Sequence, residues 1–276
     1  MEAIGTEPEA LGYEFGRWTT ARLATYLEEQ TGINLSGELR RILQQKKYAY
    51  LWAYSLEDKQ DPQNRAIFKQ KLEGYLQASK VEPDKIQVWF WDESGFSLRV
   101  IRRKAWHLKG SRKKVTGKRG IGRVNVMGGL RFHDRKQLCY FYDKGTGESF
   151  YAQLEMLYNA SQLEWIKLGN EGTDFEQKGT KILVVLDNAS YHKKKDIKEE
   201  IERNLPNLQL YFLPPYSPDF NLIELVWHSA KEYIAHRLFK SIDELRKLLD
   251  ELLNQEKLEI KWGRKLKDKG DTAYAI

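Results

Sequence analysis

The chain of 276 residues contains a single cysteine, Cys139, and few features of secreted or membrane proteins. One thiol cannot form an internal disulfide or a cysteine-based zinc site, so the composition fits a reducing cytosol. The first ten residues, MEAIGTEPEA, are acidic and lack the apolar core of a signal peptide. No stretch approaches the roughly 18 apolar residues of a membrane-spanning helix. We therefore expect a cytoplasmic protein without a membrane partner and interpret Cys139 as a small core residue.

The composition permits a folded domain and favours an anionic partner. Hydrophobic residues make up 41% of the chain, which is enough for a substantial core. The length suggests one large domain, or a domain with a smaller module. The formal net charge of +7 favours a polyanion such as nucleic acid. Because many basic proteins have other functions, the charge alone leaves the partner open.

Residues 1–56 have the pattern of a small all-α module. Thr19 or Thr20 can cap a first helix, Gly32 can end it, and Ser36 can cap a second helix. The second helix carries two basic candidates for DNA contacts, Arg40 and Arg41. A helix, a glycine turn and a basic helix are typical of a helix-turn-helix, here winged-helix-like, although any helical hairpin can share this pattern.

The rest of the chain divides into a connector, an α/β domain and a C-terminal segment. Residues 57–85 predict a helical connector, and residues 241–276 predict a helix followed by a basic tail. Between them, residues 86–240 contain six segments that predict strands: IQVWFWD, FSLRVIRR, RVNVMGGLRF, QLCYFYD, KILVVLD and LQLYFL. One long helix is expected over FNLIELVWHSAKEYIAHRL. This order predicts an α/β fold with a mixed sheet flanked by helices.

Two of these segments end in an aspartate, namely Asp92 and Asp187. In open α/β sheets, ligands bind beyond the carboxyl ends of the strands. If the two strands are parallel neighbours, both carboxylates lie at one edge, where their repulsion requires a cation or a shared proton. Mg²⁺ suits a site built from oxygen ligands. Taken singly, each aspartate is better explained as the start of a turn, and the recurrence of an aspartate after two apolar runs makes the two explanations about equal.

A third carboxylate, Glu224, follows the rigid segment LPPYSPDFNLI. Pro214, Pro215 and Pro218 restrict the backbone before the predicted helix, so that Glu224 falls in about its first turn. A favourable interaction with the helix dipole would explain the glutamate alone. It would not explain the prolines, whereas a ligand carried on a helix needs a precisely placed helix start.

Three blocks of sequence together resemble the catalytic blocks of mariner-like DDE transposases, in particular the bacterial insertion-sequence branch. They are DES at 92–94, DNASYH at 187–192 and LPPYSPDFNLIE at 213–224. The 36 residues between Asp187 and Glu224 also suit that family. Leu222 departs from the pattern, because the family usually has proline there. Leucine is compatible with a helix, but it leaves the angle at which the helix begins less restricted.

The resemblance implies an RNase H-like catalytic domain over residues 86–240 with Asp92, Asp187 and Glu224 as catalytic residues. These carboxylates would hold two Mg²⁺ ions, for which Mn²⁺ can substitute, on either side of a scissile phosphate. The implied partner is double-stranded DNA, cut at terminal inverted repeats and joined to target DNA, at TA dinucleotides in relatives. A homodimer on DNA, associated with the bacterial nucleoid, is also implied.

Three further residues are expected to support the carboxylates: Glu93, Asn188 and His192. In a strand the side chain of Glu93 faces away from Asp92, so its role would be structural or indirect. His192 would lie near the scissile phosphate as an orienting group. The alternative interpretations are that Asn188 only caps a helix and that His192 lies on the surface.

Residues 99–123 form a basic run without any acidic residue. Its candidates for DNA contacts are Arg102, Arg103, Lys104, Trp106, Arg112, Lys113, Lys114, Lys118 and Arg119. A run of positive charges beside a metal site favours contacts with phosphates. The usual explanation of such a run is a surface exposed to solvent. Trp106 could stack on an unpaired base or simply pin the hairpin.

Other functions remain compatible with parts of this pattern. A non-catalytic helix-turn-helix regulator or a domesticated transposase would need none of the three carboxylates. Another RNase H-like nuclease would as a rule lack the helix-turn-helix, and a metal phosphatase would use neither that module nor the basic run. Relatives generally carry two helix-turn-helix units, and we expect only one here, near residues 17–47. A truncated chain, a shortened reading frame and a decayed element copy would each explain this, with poor discrimination of terminal repeats.

Overall fold

The computed structural model describes residues 2–14, 16–48, 61–101, 119–235, 237–260 and 262. The chain divides into two compact units, Met1–Leu56 and Glu57–Ile276. No helix within these described ranges is long and apolar enough to cross a membrane.

The described part of the first unit is helical. It contains α1 (Glu2–Gly5), a 3-10 helix (Pro8–Leu11), α2 (Thr20–Thr31) and α3 (Leu39–Gln45). The predicted cap and stop of α2 are confirmed, because the Thr19 side chain accepts a hydrogen bond from the Arg22 N–H and Gly32 adopts φ +71°. The predicted Ser36 cap is wrong. The Ser36 hydroxyl bonds the Asn34 side chain instead, and α3 begins only at Leu39.

The second unit begins with a long helix, α4 (Pro62–Val81). The Asp61 carboxylate accepts hydrogen bonds from the Gln63 and Asn64 N–H groups, and proline occupies the first helical position. The buried face of α4 carries Phe68, Leu72 and Leu76 against the sheet. The described part of the connector is therefore packed into the core of the second unit.

Five strands form one mixed sheet in the order β3-β2-β1-β4-β5. The strands are β1 (Ile86–Arg99), β2 (Arg119–Arg131), β3 (Gln137–Tyr142), β4 (Lys181–Leu186) and β5 (Leu208–Phe212). β1–β2 and β2–β3 are antiparallel, whereas β1–β4 and β4–β5 are parallel. This is the expected RNase H-like sheet.

The sequence predicted two strands where the structure has the single strand β1. Its antiparallel partner β2 pairs along it from Trp89↔Arg131 to Arg99↔Arg119, with an irregularity between Ser97 and Arg99. The parallel partner β4 pairs only as far as Phe90↔Val185. The prediction that a strand ends at Asp92 is therefore wrong, because β2 continues to satisfy the backbone of β1 after β4 has ended.

Helices cover both faces of the sheet. One layer contains α4, α8 (Glu224–Tyr233) and α9 (Ile242–Asn254), and the other contains α5 (Gly147–Lys167) and α7 (Lys195–Asn204). Short helices lie at Gly172–Asp174, α6 (Phe175–Lys178), Ser190–Lys193 and Pro218–Phe220. The long helix expected over residues 220–238 is shorter, because the backbone around the prolines first forms a 3-10 turn.

Alternation along β1 sends neighbouring residues to different layers. Val88, Phe90 and Phe96 pack with the α4–α8–α9 layer, whereas Trp89 and Trp91 pack with the α5–α7 layer. Asp92 therefore projects towards the layer that contains α8, and Glu93 towards the layer that contains α5 and α7. This alternation decides which partners each carboxylate can reach.

Candidate active site

The three predicted carboxylates line one cavity of about 510 Å³ at the carboxyl edge of the parallel strands. Asp187 is the first residue after β4, and Glu224 is the first residue of α8. The parallel register Phe90↔Val185, continued by two residues, places Asp92 beside Asp187. Segment 213–218 forms the opposite wall of the cavity.

Asp92 is half-buried in a region crowded with negative charge. Burial, together with the charges of Glu224, Glu93 and Asp187, raises its pKa well above the ordinary value. The indole N–H of Trp227 donates a hydrogen bond to Asp92 Oδ2 at 3.2 Å. An ionised carboxylate is thus unfavourable here unless positive charge is supplied.

The other two carboxylates differ in their electrostatics. Burial raises the pKa of Glu224, and the charge of Lys231 partly offsets that effect. The side chain of Asp187 is 52% exposed. Its interaction with His192 lowers its pKa, and the Ala189 N–H adds to this by donating to Oδ1 at 2.9 Å. Asp187 is therefore the carboxylate that ionises most readily.

His192 is buried between two carboxylates. Its side chain is 1% exposed, with Nε2 3.0 Å from Glu93 Oε1 and Nδ1 3.1 Å from Asp187 Oδ1. The second contact has the distance of an ion pair without the alignment of a hydrogen bond. The rings of Phe150 and Tyr191 each lie 4.3 Å from the imidazole, centroid to centroid. The alternative of a surface histidine is therefore wrong.

The imidazole carries charge because of these neighbours. Burial by itself would lower the pKa of His192, but Asp187 and Glu93 raise it to about 9. Burial and a hydrogen bond to Glu93 likewise raise the pKa of Tyr191. Glu93 thus holds two aromatic side chains from the segment after β4, although it faces away from Asp92.

Two asparagines connect the three sequence blocks. Asn188 Nδ2 donates to the Leu213 carbonyl at 2.5 Å, which joins the second block to the third. Asn221 Nδ2 donates to the Trp91 carbonyl at 2.9 Å, which joins the third block to the backbone just before Asp92. Asn188 therefore does not cap a helix, contrary to the alternative raised from the sequence.

The segment before Glu224 is anchored from α4. Arg65 Nη2 lies 2.6 Å from the buried Asp219 carboxylate, and Arg65 Nη1 donates to Ser217 Oγ at 2.5 Å. The Arg65 guanidinium also lies 4.5 Å from the centroid of the Phe220 ring. Leu222, where related sequences have proline, is buried in the core. Packing of Leu222 and the Arg65 contacts thus help to place the start of α8.

Trp227, Asn221 and Arg65 were not predicted from the sequence as partners of the site. Asn221 and Trp227 lie in or just after the third block, whereas Arg65 lies far from all three blocks, and the pairings depend on contacts between distant segments. The asparagine in the third block was the one accessible signal, because a polar residue between Phe220 and Leu222 breaks an otherwise apolar run.

The three carboxylates that line the cavity are chemically suited to bind a divalent cation. Within the described residues, no group of three His, Cys, Asp or Glu side chains stands close enough to hold an ion as placed. The carboxylates nevertheless line one cavity and supply only oxygen donors, and burial together with their mutual repulsion raises the pKa of Asp92. A cation among them would relieve that repulsion, and oxygen donors are those that Mg²⁺ prefers.

The residues expected to contact DNA are described only in part. Arg40 and Arg41 lie exposed on α3, where Arg41 forms an ion pair with Glu38. Most of the basic run lies outside the described residues: Arg102, Arg103, Lys104, Trp106, Arg112, Lys113, Lys114 and Lys118. Arg119 begins β2, and its side chain also lies outside that description.

Comparison with known proteins shows which families the chain matches. Residues 87–246 match the family described as DDE superfamily endonuclease, and residues 14–72 match a winged helix-turn helix. The insertion element IS630 uncharacterized 39 kDa protein of Shigella sonnei is 23% identical over 235 residues. That alignment covers 85% of this chain, and the chain spans 63% of the length of that relative.

Solved structures of a similar fold include two Mos1 complexes. The Mos1 transposase paired-end complex with left transposon end has a TM-score of 0.59 at 16% identity, covering 88% of this chain and 74% of that one. The mariner Mos1 paired end complex with Mg has a TM-score of 0.59 at 15% identity, with 89% and 75% covered. At sequence identities this low, the structural similarity shows the fold alone.

Proposed function

The chain belongs to the DDE superfamily endonuclease family, and on that premise we propose that it is a transposase. It would cut DNA at the ends of an element and join those ends to target DNA, with Asp92, Asp187 and Glu224 as catalytic residues. The observation that carries this proposal is the presence of all three carboxylates on one cavity at the carboxyl edge of the sheet.

Asp92, Asp187 and Glu224 would hold Mg²⁺, as two ions, and Mn²⁺ can substitute. When bound, the metal would supply the charge that activates a nucleophile and stabilises the leaving oxygen at a phosphate. The raised pKa of Asp92 supports this assignment, since crowded carboxylates indicate a site that is completed by positive charge. A solved Mos1 complex with Mg has the same fold.

The surrounding residues would position these ligands. Glu93 and His192 hold Asp187 from the α5–α7 side of the sheet. Asn188 fixes the segment after β4 against the third block. We therefore assign Glu93, Asn188 and His192 to orientation of the site rather than to direct reaction with DNA.

Double-stranded DNA would be bound by both units. Arg40 and Arg41 of the helix-turn-helix, within the region that matches a winged helix-turn helix, would contact terminal inverted repeats. The basic run of residues 99–123 would contact phosphates near the scissile bond. Mos1 forms paired-end complexes, which supports a homodimer on DNA for this chain as well.

The domain assignment follows from these roles. Residues 1–56 would be the DNA-binding module, 57–85 the connector, 86–240 the catalytic domain and 241–276 a C-terminal helix and basic tail. α4 packs on the sheet, so the connector would also act as a support of the catalytic domain.

The test is to incubate the protein with Mg²⁺ and DNA that carries the flanking repeats and to map any nicks. Asp92→Ala, Asp187→Ala and Glu224→Ala should each abolish nicking while DNA binding is largely retained. Glu155→Ala, at an exposed position on α5, is the matched control and should nick as the parent does.

Three results, the last from the same assay with RNA hybrids or junctions as substrates, would contradict the proposal. Equal nicking by Glu224→Ala and the parent would remove Glu224 from the site. Binding without any metal-dependent nicking by the parent would instead support a non-catalytic or domesticated DNA-binding protein. Nicking of RNA hybrids or junctions in preference to the repeats would support another RNase H-like nuclease.

A further inference from the structure

Two lysine side chains converge on one aromatic ring at the carboxyl edge of the sheet. The Nζ atoms of Lys193 and Lys198 each lie 5.1 Å from the centroid of the Phe212 ring. Lys193 ends the 3-10 helix Ser190–Lys193, and Lys198 lies in the first turn of α7. The two ammonium groups therefore lie at most twice 5.1 Å apart, held by one hydrophobic surface.

The ring lies next to the candidate active site, on the side of the sheet that packs against α5 and α7. Phe212 pairs with Leu186 in the parallel ladder of β4 and β5. The next residue on each strand, Asp187 and Leu213 respectively, lines the cavity. Lys193 is close enough to Asp187 that its charge adds to the larger effect of His192 in lowering the pKa of that carboxyl.

Both ammonium groups lack a close carboxylate partner among the described residues. Within the described ranges, no carboxylate lies at ion-pair distance from Lys193 or Lys198, whereas the neighbouring Lys195 approaches Glu199 at 3.6 Å. Glu202 follows Lys198 by one helical turn, but the lysine extends over Phe212 instead. An aromatic face attracts each cation without cancelling its charge, so the pair remains a concentrated positive site.

Three of the four acidic residues of α7 lie away from this site. At about 100° per residue, Asp196, Glu199 and Glu200 are rotated from Lys198 by about 100° or more around the helix axis. The two lysines therefore lie beside the cavity on the α5–α7 side of the sheet, and most of the negative charge of α7 faces away from them.

We propose that Lys193, Lys198 and Phe212 form a contact site for the DNA backbone beside the active-site cavity. The proposal rests on the proposed function, because it identifies where the DNA substrate would be held next to the scissile bond. Each ammonium group can bind a phosphate without first leaving a carboxylate, and contact with the ring restricts the flexible lysine stems. Such phosphate contacts position a duplex without reading its sequence.

The test measures DNA affinity of the full chain as a function of salt. A fluorescently labelled random duplex of about 30 base pairs is titrated by anisotropy between about 50 and 200 mM KCl, without divalent cations. The variant Lys193→Gln/Lys198→Gln retains the length of the side chains but removes both charges. The slope of log affinity against log salt should become shallower by about 1.8, which is about 0.9 for each lost phosphate contact.

Two controls make the result specific. Lys178→Gln/Lys181→Gln removes the same charge from exposed lysines at the amino end of β4 and should leave the parent slope unchanged. Lys193→Arg/Lys198→Arg keeps the charge and should retain the slope. An unchanged slope in the Lys193→Gln/Lys198→Gln variant, or an equal change in the amino-end control, would overturn the proposal.

The nicking assay separates this proposal from the proposed function. A parent that nicks DNA, with an unaltered slope in the Lys193→Gln/Lys198→Gln variant, contradicts the lysine site alone. A parent that binds DNA but does not nick it contradicts the transposase assignment. In that case the salt slope of the Lys193→Gln/Lys198→Gln variant still shows whether the two lysines contact DNA. A parent that binds no duplex even at low salt contradicts both.

Discussion

The imidazole of His192 and the carboxylate of Glu93 meet at 3.0 Å although 99 positions separate them in the chain. The contact joins β1 to the segment after β4, and His192 in turn lies 3.1 Å from Asp187. Glu93 therefore acts on Asp187 through the histidine. The two acidic residues of the DES block have different surroundings, since Asp92 faces the cavity and Glu93 contacts the histidine that lies beside Asp187.

Removing this support should weaken metal binding without removing a ligand. We expect Glu93→Ala to lower the affinity for Mn²⁺ by about 10- to 100-fold, the usual effect of losing a residue that orients a metal ligand. Glu93→Gln can still accept a hydrogen bond from His192 and should lose less. Calorimetric titration with Mn²⁺ measures both, with Glu155→Ala as control. Equal affinity of Glu93→Ala and the parent would show that the histidine contact is dispensable.

A neutral residue at position 92 should stabilise the metal-free protein. Burial and nearby carboxylates raise the pKa of Asp92 in the folded protein. As pH rises, the carboxyl group therefore loses its proton at a lower pH in the unfolded chain than in the folded protein. The parent therefore loses stability from about pH 4 upward through the raised folded pKa. Asp92→Asn avoids this loss and can still accept the hydrogen bond from Trp227.

Urea unfolding without divalent cations measures this effect. At pH 7 the Asp92→Asn variant should have a higher midpoint than the parent, and the difference should vanish below about pH 4. Added Mg²⁺ should stabilise the parent more than the variant. A lower midpoint for the metal-free variant at pH 7 would indicate that Asp92 is a structural carboxylate.

The Asn221 amide should contribute to stability through a buried backbone contact. Asn221→Ala leaves the Trp91 carbonyl without its donor, which costs about 1–3 kcal/mol for a buried polar group. Asn204→Ala removes an exposed bond to the Tyr151 hydroxyl and should cost less than about 0.5 kcal/mol. Denaturant unfolding compares the two, and similar losses would contradict the specific role of Asn221.

Breaking the ion pair of Arg65 with Asp219 should lower the free energy of unfolding strongly. Arg65→Ala leaves the 1% exposed Asp219 side chain without its partner, for which we expect about 3–5 kcal/mol of destabilisation. Lys178→Ala breaks a solvent-exposed pair with Asp174 and should cost about 0–1 kcal/mol. Thermal unfolding measures both variants. A loss for Arg65→Ala within the range of the exposed pair would contradict the anchoring of the third block from α4.

The basic run should contribute to DNA binding without regard to sequence. Neutralising Arg112, Lys113 and Lys114 should weaken binding to every duplex and reduce the salt slope by about 0.9 for each lost phosphate contact. Anisotropy titrations with two unrelated duplexes test this. A loss confined to one sequence would indicate base reading, and an unchanged slope would indicate a solvated surface.

Much of the architecture was predictable because it depends on neighbours in the chain. The Thr19 cap, the Gly32 stop and the proline segment before Glu224 act over a few residues, and each was readable as a pattern. The apolar run before Asp187 likewise predicted a buried strand that ends at a carboxylate. The three blocks in their order also identified the family that the comparison then established.

Other predictions failed where a distant segment decides the local structure. Asp92 ends no strand, because pairing with β2 extends β1 to Arg99. Ser36 caps no helix, because its hydroxyl is taken by Asn34. For His192 the sequence favoured the site over the surface only slightly, and packing against Phe150 from α5 and Tyr191 buries it.

The sequence by itself determined which carboxylates are available and the local elements that carry two of them, Asp187 and Glu224. Only the tertiary structure decided their surroundings, through contacts separated by 130 to 154 positions: Asn221 with Trp91, Trp227 with Asp92, and Arg65 with Asp219. Local patterns record the preferences of the backbone for helix, strand and turn. The partner of a side chain, and hence its charge, depends on which distant segments the folded chain brings together.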